Sequence, residues 1–406
     1  MRTVRPDFDC VVIGAGLVGA AQALAIRRHD LSVLVVEAQQ PPSGRGSGDV
    51  RGLALSPPSK RFIEVLGVWN LLSTQTAPVR HIHVSDQGRF GFTHLNSNDI
   101  GIDALGYVCP ADHFLRVIRN VLIEKCEVWW GTTLSSINLG SEFAQLWLES
   151  ASGPVQITTR LVIGADGMNS RVREAAGVVA HMRDYRQSAI VANVDVQYPV
   201  PETAFERFTG NGPLALLPLP GGRQVTVRCC STDEVDRIVG LSDKQYLAEL
   251  EEGFGHRFGV FSDVGKRRAH KLVLQFTDRI VGHRVALIGA AANKVHPNGA
   301  QGLNLGLRDA AALAECLSAI RSVDGDIGDL EHLSGFAAGR QVDHREVIHF
   351  TDIMAQVFIS RIPMLGVARN LAMLVTDISP SSKRWFIGKA TGLSIKSPRL
   401  DIQVTR

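Results

Sequence analysis

The sequence predicts a mixed α/β fold: a parallel-sheet unit assembled from discontinuous segments, an antiparallel β-sheet inserted into it, and a helical C-terminal region. Three observations predict it. A strand, a glycine turn, a helix and a second strand follow one another within residues 8–37, the pattern of a βαβ unit. Two further apolar strands end in glycine far downstream, at Gly164 and Gly289. Between them residues 188–230 alternate as short strands, and beyond Asp329 the pattern is helical.

Residues 8–13 form a short apolar run that stops at Gly14, as a buried strand does. Residues 17–28 carry Gly19, Ala20 and Ala23, small enough for a helix to pack closely on a sheet. Residues 32–37 are rich in valine and supply the second strand. Pro41, Pro42, Gly44, Gly46 and Gly48 make residues 39–50 a loop. Ser56-Pro57-Pro58-Ser59 reads as a helix start, with proline in the first turn. Residues 79–86 and 89–95 alternate around Gln87-Gly88 and predict a hairpin. Apolar residues at 114, 115, 117, 118, 121 and 122 have helical spacing; strand-like runs return at 127–130, 136–139, 143–149 and 157–163. Residues 189–196, 204–209, 214–219 and 224–229 predict the antiparallel sheet. A helix at 243–252, strands at 271–276 and 284–288, and a helix at 303–320 follow. The chain then reads helical to about residue 388, broken at Pro363 and Pro380. Residues 1–75, 105–185 and 277–330 are expected to form the parallel-sheet domain. Residues 76–104 and 186–276 are expected to form the β-rich substrate domain, and 331–406 the helical region.

Composition narrows the function classes. The 406 residues carry 43 Lys+Arg and 40 Asp+Glu, a net charge of +3, which is no nucleic-acid footprint. Cysteines at 10, 109, 126, 229, 230 and 316 show no CxxC pair and no zinc spacing, so no metal is expected and free thiols in a reducing compartment fit. No signal peptide and no transmembrane run are read. The expected location is cytoplasmic, at most peripheral to a membrane.

Three motifs carry chemistry. Gly14-Ala15-Gly16-Leu17-Val18-Gly19 links the first strand to its helix. Gly14 permits the tight turn, Gly16 lets backbone N–H groups approach a pyrophosphate, and Gly19 lets the helix close on the sheet. Glu37, 18 residues after Gly19, ends the next strand, where an acid accepts ribose hydroxyls. That combination predicts a Rossmann-like dinucleotide site. The second motif is Gly164-Ala165-Asp166-Gly167, followed by a helix with Arg171 and Arg173; Asp166 is either a helix cap or a cofactor contact. The third runs from Gly289 and Ala290 through His296-Pro297 to Gly302-Leu303-Asn304, where small residues suit a flat ring and a helix N-terminus faces developing negative charge.

In this order and spacing the motifs resemble the flavoprotein aromatic hydroxylases typified by p-hydroxybenzoate hydroxylase. Residues 49–55 (DVRGLAL), 83–88 (HVSDQG), 189–194 (AIVANV), 205–208 (FERF) and 212–218 (GPLALLP) are similar to the ubiquinone-biosynthesis branch, in particular the polyprenyl-methoxyphenol hydroxylases. The resemblance implies non-covalent FAD, with Glu37 on the adenosine ribose, Arg51 at the pyrophosphate and the amides of Leu303 and Asn304 at the flavin ring. It implies NAD(P)H as reductant, O2 as oxidant through a flavin C4a-hydroperoxide, a polyprenylated phenol as substrate, and partners in a ubiquinone-biosynthesis complex. This chain departs from the pattern at Ala290 (usually Asp), Asn293 (usually His), Ala300 (usually Gly) and Asp112 (often Arg or Gln). One lost hydrogen bond costs about 0.5–1.5 kcal/mol, too little to abolish FAD binding.

A phenol of pKa near 10 is under ~1% ionised at neutral pH, so a base or positive field near the ring is expected to help. His296 and Pro297 are the catalytic candidates. Arg207, Leu216 and Pro218 are the substrate-facing candidates of the inserted sheet, and residues 353–375 offer a further apolar wall. A different flavoenzyme of this fold and a non-catalytic flavin scaffold are the competing readings; the adjacent Trp129-Trp130 do not make the WxWxIP segment of the fold's halogenases.

Overall fold

The computed structural model describes residues 5–41, 49, 51–296, 300–359 and 363–393. Pro297 lies outside them.

The chain opens with β1 (Phe8–Ile13), α1 (Leu17–Arg27) and β2 (Val33–Glu37). Then come β3 (Gly52–Leu55) and α2 (Pro57–Val65), whose cap Ser56 accepts a hydrogen bond from the Ser59 N–H. Next are α3 (Trp69–Leu72), β4 (Ala77–Val79), β5 (His81–Asp86), β6 (Phe92–Asn96), β7 (Gly106–Pro110) and α4 (Ala111–Lys125). β8 (Glu127–Trp130), β9 (Thr133–Leu139), β10 (Ala144–Ser150) and β11 (Gly153–Gly164) lead to α5 (Arg171–Ala175). β12 (Ala180–Val196), β13 (Thr203–Thr209), β14 (Gly212–Pro218) and β15 (Gln224–Ser231) are followed by α6 (Val235–Gly240) and α7 (Asp243–Phe254). β16 (Phe261–Val264), β17 (Arg268–Thr277), β18 (Val281–Gly282) and β19 (Val285–Leu287) precede α8 (Gln301–Arg321), α9 (Leu330–Ile359), α10 (Pro363–Ile378) and α11 (Pro380–Thr391). The two proline breaks in the tail therefore fall where proline's missing N–H demands them.

Two large sheets organise these elements. The first has the order β18-β19-β11-β1-β2-β8, with β1 parallel to β2 and β11, and β19 parallel to β11. β9 and β10 extend it as an antiparallel flap. Residues of β1, β2 and α1 are almost wholly buried, as strands covered on both faces must be. The second sheet has the order β16-β12-β15-β14-β13-β5-β6, with β17 also on β12. Its pairing is antiparallel except at β13–β5, which is parallel. Those two strands come from separate stretches of chain, so no hairpin fixes their relative direction. β12 starts nine residues before the expected 189, because Ala180–Asp184 pairs with β17 before a register shift between Asp184 and Gln187. That leading part is polar and mostly exposed, so apolar alternation does not announce it. A small sheet, β3-β7-β4, lies between the two.

The second sheet has two unlike faces. Phe205, Leu214, Leu216, Ile190 and Cys230 pack under Ile238, Tyr246, Leu250 and Phe254 of α6 and α7. On the other face Ala204, Leu217 and Leu219 meet Val79, Val108 and Ala54 of the small sheet. A Cβ added at Gly52 would sit 2.7 Å from Val225 Cγ1, so here the two units are in close contact. Cys229 and Cys230 point to opposite faces, and all six cysteines are free.

Candidate active site

The first motif is built as its glycines require. Gly14 has φ +103°, and a Cβ there would lie 2.6 Å from the Ala165 carbonyl oxygen. At Gly19 a Cβ would lie 2.0 Å from the Gly14 oxygen, which is why the helix reaches the strand only with glycine. Gly16 is the contrast, with nothing within 4 Å of its added Cβ. Gly16 caps α1 without a side chain, and the first turn holds no acid. The N–H groups of Leu17, Val18 and Gly19 thus have no acceptor within the helix.

Glu37 is buried at the end of β2 and orients the turn from below. Its Oε2 accepts from the Ala15 N–H at 2.7 Å and its Oε1 from the Gln39 N–H at 2.9 Å. Arg119 of α4, 82 positions away, donates from Nε to the Ala15 carbonyl at 2.9 Å and pairs with Glu37 at 3.4 Å. Its guanidinium also lies over the Trp130 ring. Burial pulls the Arg119 pKa down while Glu37 opposes the shift. Nothing in the local sequence pairs residues 37 and 119; an arginine on the buried face of a predicted helix was the available signal.

The second and third motifs close on the first. The Ala165 N–H donates to the Ile13 carbonyl, and the Ile288 N–H to that of Gly164. Added Cβ atoms at Gly289 and Gly306 would both press on Val18. Arg173 ties the two later motifs, donating to the Ala291 carbonyl at 3.0 Å and the Met168 carbonyl at 2.8 Å. Asp166 caps α5 with Oδ2, which accepts from Arg171 and Val172, while its buried Oδ1 has no donor among the described residues. Burial raises the Asp166 pKa. A buried carboxylate oxygen of this kind fits a hydroxyl-bearing ligand at the turn.

The third motif keeps its shape without a carboxylate at 290. Ala290 is exposed, and the Ala292 and Asn293 N–H groups close the turn on the Gly289 carbonyl. The Gly289 N–H donates to Asp309 of α8 at 3.2 Å. Asn293 Nδ2 meets His344 Nδ1 at 2.8 Å, and His344 Nε2 meets Asp309 at 2.6 Å. Arg340 pairs with Asp309 and with Asp343, which also holds Arg308. Burial works to raise the Asp309 pKa, but His344 and Arg340 outweigh it and hold the carboxyl at about 2. His296 is buried, with its ring edge-on to Tyr185 of β12 at 5.0 Å. Lys294 pairs its backbone with Gln275 of β17, and burial followed by the charge of Arg51 lowers its pKa. Arg51 itself makes a bidentate pair with Asp49.

α8 starts at Gln301 with Ala300 as its cap in the left-handed region. The N–H groups of Gln301, Gly302 and Leu303 have no intrahelical acceptor. The Asn304 side chain holds this start in place: Oδ1 accepts from the Ser56 N–H, and Nδ2 donates to the Ala54 and Ala300 carbonyls.

The substrate-facing candidates fall elsewhere than expected. Leu216 is 1% exposed beneath α7, and Pro218 has the same strand parity. Arg207 lines a cavity of about 620 Å³ with His83, Phe92, Arg89 and Arg257, on the face that carries Phe205. The period-2 alternation of β13 and β14 dictates this: their neighbours Glu206, Ala215 and Leu217 face the small sheet instead. The motif residues thus come together, while Arg207, Leu216 and Pro218 do not join them.

The FAD binding domain family matches residues 7–330 of this chain. Ubiquinone hydroxylase UbiL of Rhodospirillum rubrum is 33% identical over 97% of the chain and 92% of its own length. The chain belongs to the FAD-binding family. The 3-demethoxyubiquinol 3-hydroxylase of Escherichia coli is 28% identical over 95% of this chain and 98% of its own. Among solved structures, p-nitrophenol 4-monooxygenase PnpA from Pseudomonas putida superposes with a TM-score of 0.77 at 18% identity, covering 95% and 98% of the two chains, which bears on the fold alone. As a member of this monooxygenase family the chain takes FAD. The uncapped start of α1, the open side of Gly16, Glu37 and the orphaned Asp166 oxygen all fit that cofactor.

Proposed function

We propose that this flavoprotein hydroxylates a polyprenylated phenol in ubiquinone biosynthesis, using NAD(P)H and O2. The observation that carries the reading is the inner face of the second sheet. There Ala215, Leu217 and Val227 are only partly buried although they lie between the sheets, whereas their neighbours Leu214 and Leu216 are fully buried. A greasy tail gains about 0.8 kcal/mol for each CH2 buried on such a wall.

The residues divide the work. The Gly14–Gly19 turn and Glu37 hold the adenosine and pyrophosphate; the Gln301–Leu303 amides face the flavin ring. FAD, when bound, supplies the oxygen chemistry. Tyr185, His296 and the inner sheet face exclude water around the ring, which limits loss of oxidising equivalents. Among the described residues no helix is long and apolar enough to cross a membrane. α10 nevertheless exposes Val367, Leu371, Val375 and Ile378 at spacings of four, four and three, beside exposed Trp385 and the cations Lys383 and Arg384. This stripe is the proposed resting face on an anionic bilayer, from which a lipid-soluble phenol would be drawn. Leu371→Glu should abolish cosedimentation with phosphatidylglycerol vesicles; unchanged cosedimentation would exclude that face.

Product analysis tests the reaction. Prenylated methoxyphenols should stimulate NAD(P)H oxidation and gain one oxygen, and p-hydroxybenzoate should do little, because a carboxylate in an apolar wall lacks a partner. Coupled turnover of p-hydroxybenzoate alone would overturn the substrate assignment. Gly16→Val should fold normally, its Cβ meeting nothing, yet purify colourless; stoichiometric FAD in that variant would overturn the cofactor placement.

A further inference from the structure

Glu206 is the one acidic residue on the inner face of β13, and its setting is unusual. Its row across the sheet reads Val84, Glu206, Ala215, Val227, Val191, with no polar side chain beside it. The residue keeps partial access while the flanking wall is apolar, and no hydrogen bond or ion pair to its carboxyl is found among the described residues. Burial alone pushes its pKa to about 7. A carboxyl half-withdrawn from water into an apolar wall normally finds a cation or a donor, and leaving it without either costs free energy that packing alone gives no reason to accept.

Among the described residues, the neighbouring strands of its sheet give it no charge to answer. β14 contains no titratable residue. On β15, Arg228 belongs to the other face, where it pairs with Glu249, and Cys229, which shares the Glu206 face, is held as a neutral thiol by burial and by Glu206 itself. On β5, His83 points to the Phe205 side and Asp86 is bonded by Arg369 and Asn370 of α10. Leu217 and Ala54 lie on one side of the Glu206 row and Cys229 and Tyr185, the ring that touches His296, on the other. The carboxyl is thus set into the wall between the small sheet and the His296 loop.

We propose that Glu206 is the catalytic base of the hydroxylation, accepting the hydrogen bond and then the proton of the substrate's phenol hydroxyl. The assignment rests on the phenol reading above. The phenol O–H bond breaks and an O–H bond forms on Glu206; the electron pair left on oxygen enters the ring, whose ortho or para carbon forms the new C–O bond. When that carbon loses its hydrogen as a proton, aromaticity returns and Glu206 gives its proton back to the phenolic oxygen. NAD(P)H supplies the two electrons, the O–O bond derived from O2 breaks as the C–O bond forms, and the second oxygen atom leaves as water. An apolar setting suits this role, because a base poised near neutral pH both accepts and returns a proton readily.

The test uses the FAD-loaded protein and a geranyl-substituted methoxyphenol, with binding read from the flavin absorbance between pH 5.5 and 8.5. Wild-type affinity should rise about tenfold as pH passes through 7, since a carboxylate accepts a stronger hydrogen bond than a carboxylic acid. Glu206→Gln should bind FAD fully, lose the pH step and hydroxylate at least about 10²-fold more slowly. Glu206→Asp should keep the pH step with an intermediate rate. A Glu206→Gln protein with wild-type hydroxylation and an unchanged pH step would overturn the assignment while leaving the phenol reading intact. Wild-type protein that binds no prenylated phenol at any pH would overturn both.

Discussion

Two carboxylates, one buried and one half-buried, mark the extremes of this molecule. Asp309, where α8 meets α9, is enclosed by Arg340, His344 and the Gly289 N–H, and its pKa sits near 2. Glu206, on the inner face of the second sheet, has apolar neighbours in its row and a pKa near 7. The first is a structural charge, compensated from several directions and tied into the Gly289 turn. The second has no hydrogen-bond or ion-pair partner among the described residues. The contrast teaches where to look for a ligand: a fold that pairs its charges thoroughly in one place leaves a bare carboxyl in another only where something else completes it.

Removing compensation should have the largest effect. Arg340→Ala leaves Asp309 buried with one cation fewer and should destabilise the protein by about 3–5 kcal/mol in urea unfolding at pH 7. A loss below 1 kcal/mol would mean that the network is ornamental. The two faces of β14 should differ next. Leu216→Ala should cost about 3 kcal/mol with little change in KM, because it opens a cavity in a closed core. Leu217→Ala should cost under about 1 kcal/mol and raise KM for a prenylated phenol several-fold; equal stability losses at both would erase the distinction between the faces.

The pH-dependent effects have opposite signs. Glu206 titrates higher folded than unfolded, so the native state holds the extra proton and loses stability as pH rises from about 4.5 through 7. Glu206→Gln should therefore be neutral near pH 4.5 and stabilising at pH 8, by on the order of 2 kcal/mol. Asp309 titrates lower folded than unfolded, so its contribution is present above about 3.8 and lost as pH falls through 2. Asp309→Asn should be destabilising at pH 6, with the difference shrinking in acid. Thermal melts across the pH range measure both.

The turns were legible in the sequence because glycine spacing is a local signal: Gly14, Gly16, Gly19, Glu37 and Asp166 lie where strand ends and helix starts must put them. The breaks at Pro363 and Pro380 were legible for the same reason. What stayed hidden was parity. β14 is apolar on both sides, so Leu216 and Leu217 look alike in sequence, and placing Arg207 required knowing which face meets the small sheet. Arg119 and the Asp309–Arg340–His344 cluster are long-range pairings, and composition carries no trace of them.

The parallel seam between β5 and β13 has a consequence for the growing chain. β5 is complete at Asp86, but its partner begins at Thr203, so on the ribosome the β5–β6 hairpin emerges long before the strand that covers its inner edge. At roughly 5–20 residues per second, that edge waits about 6–23 s unpaired. An exposed strand edge is a template for the wrong partner. Synthesis of this protein thus has a vulnerable interval, and a chaperone that shields residues 81–96 during it would raise the yield of folded chain more than one acting after release.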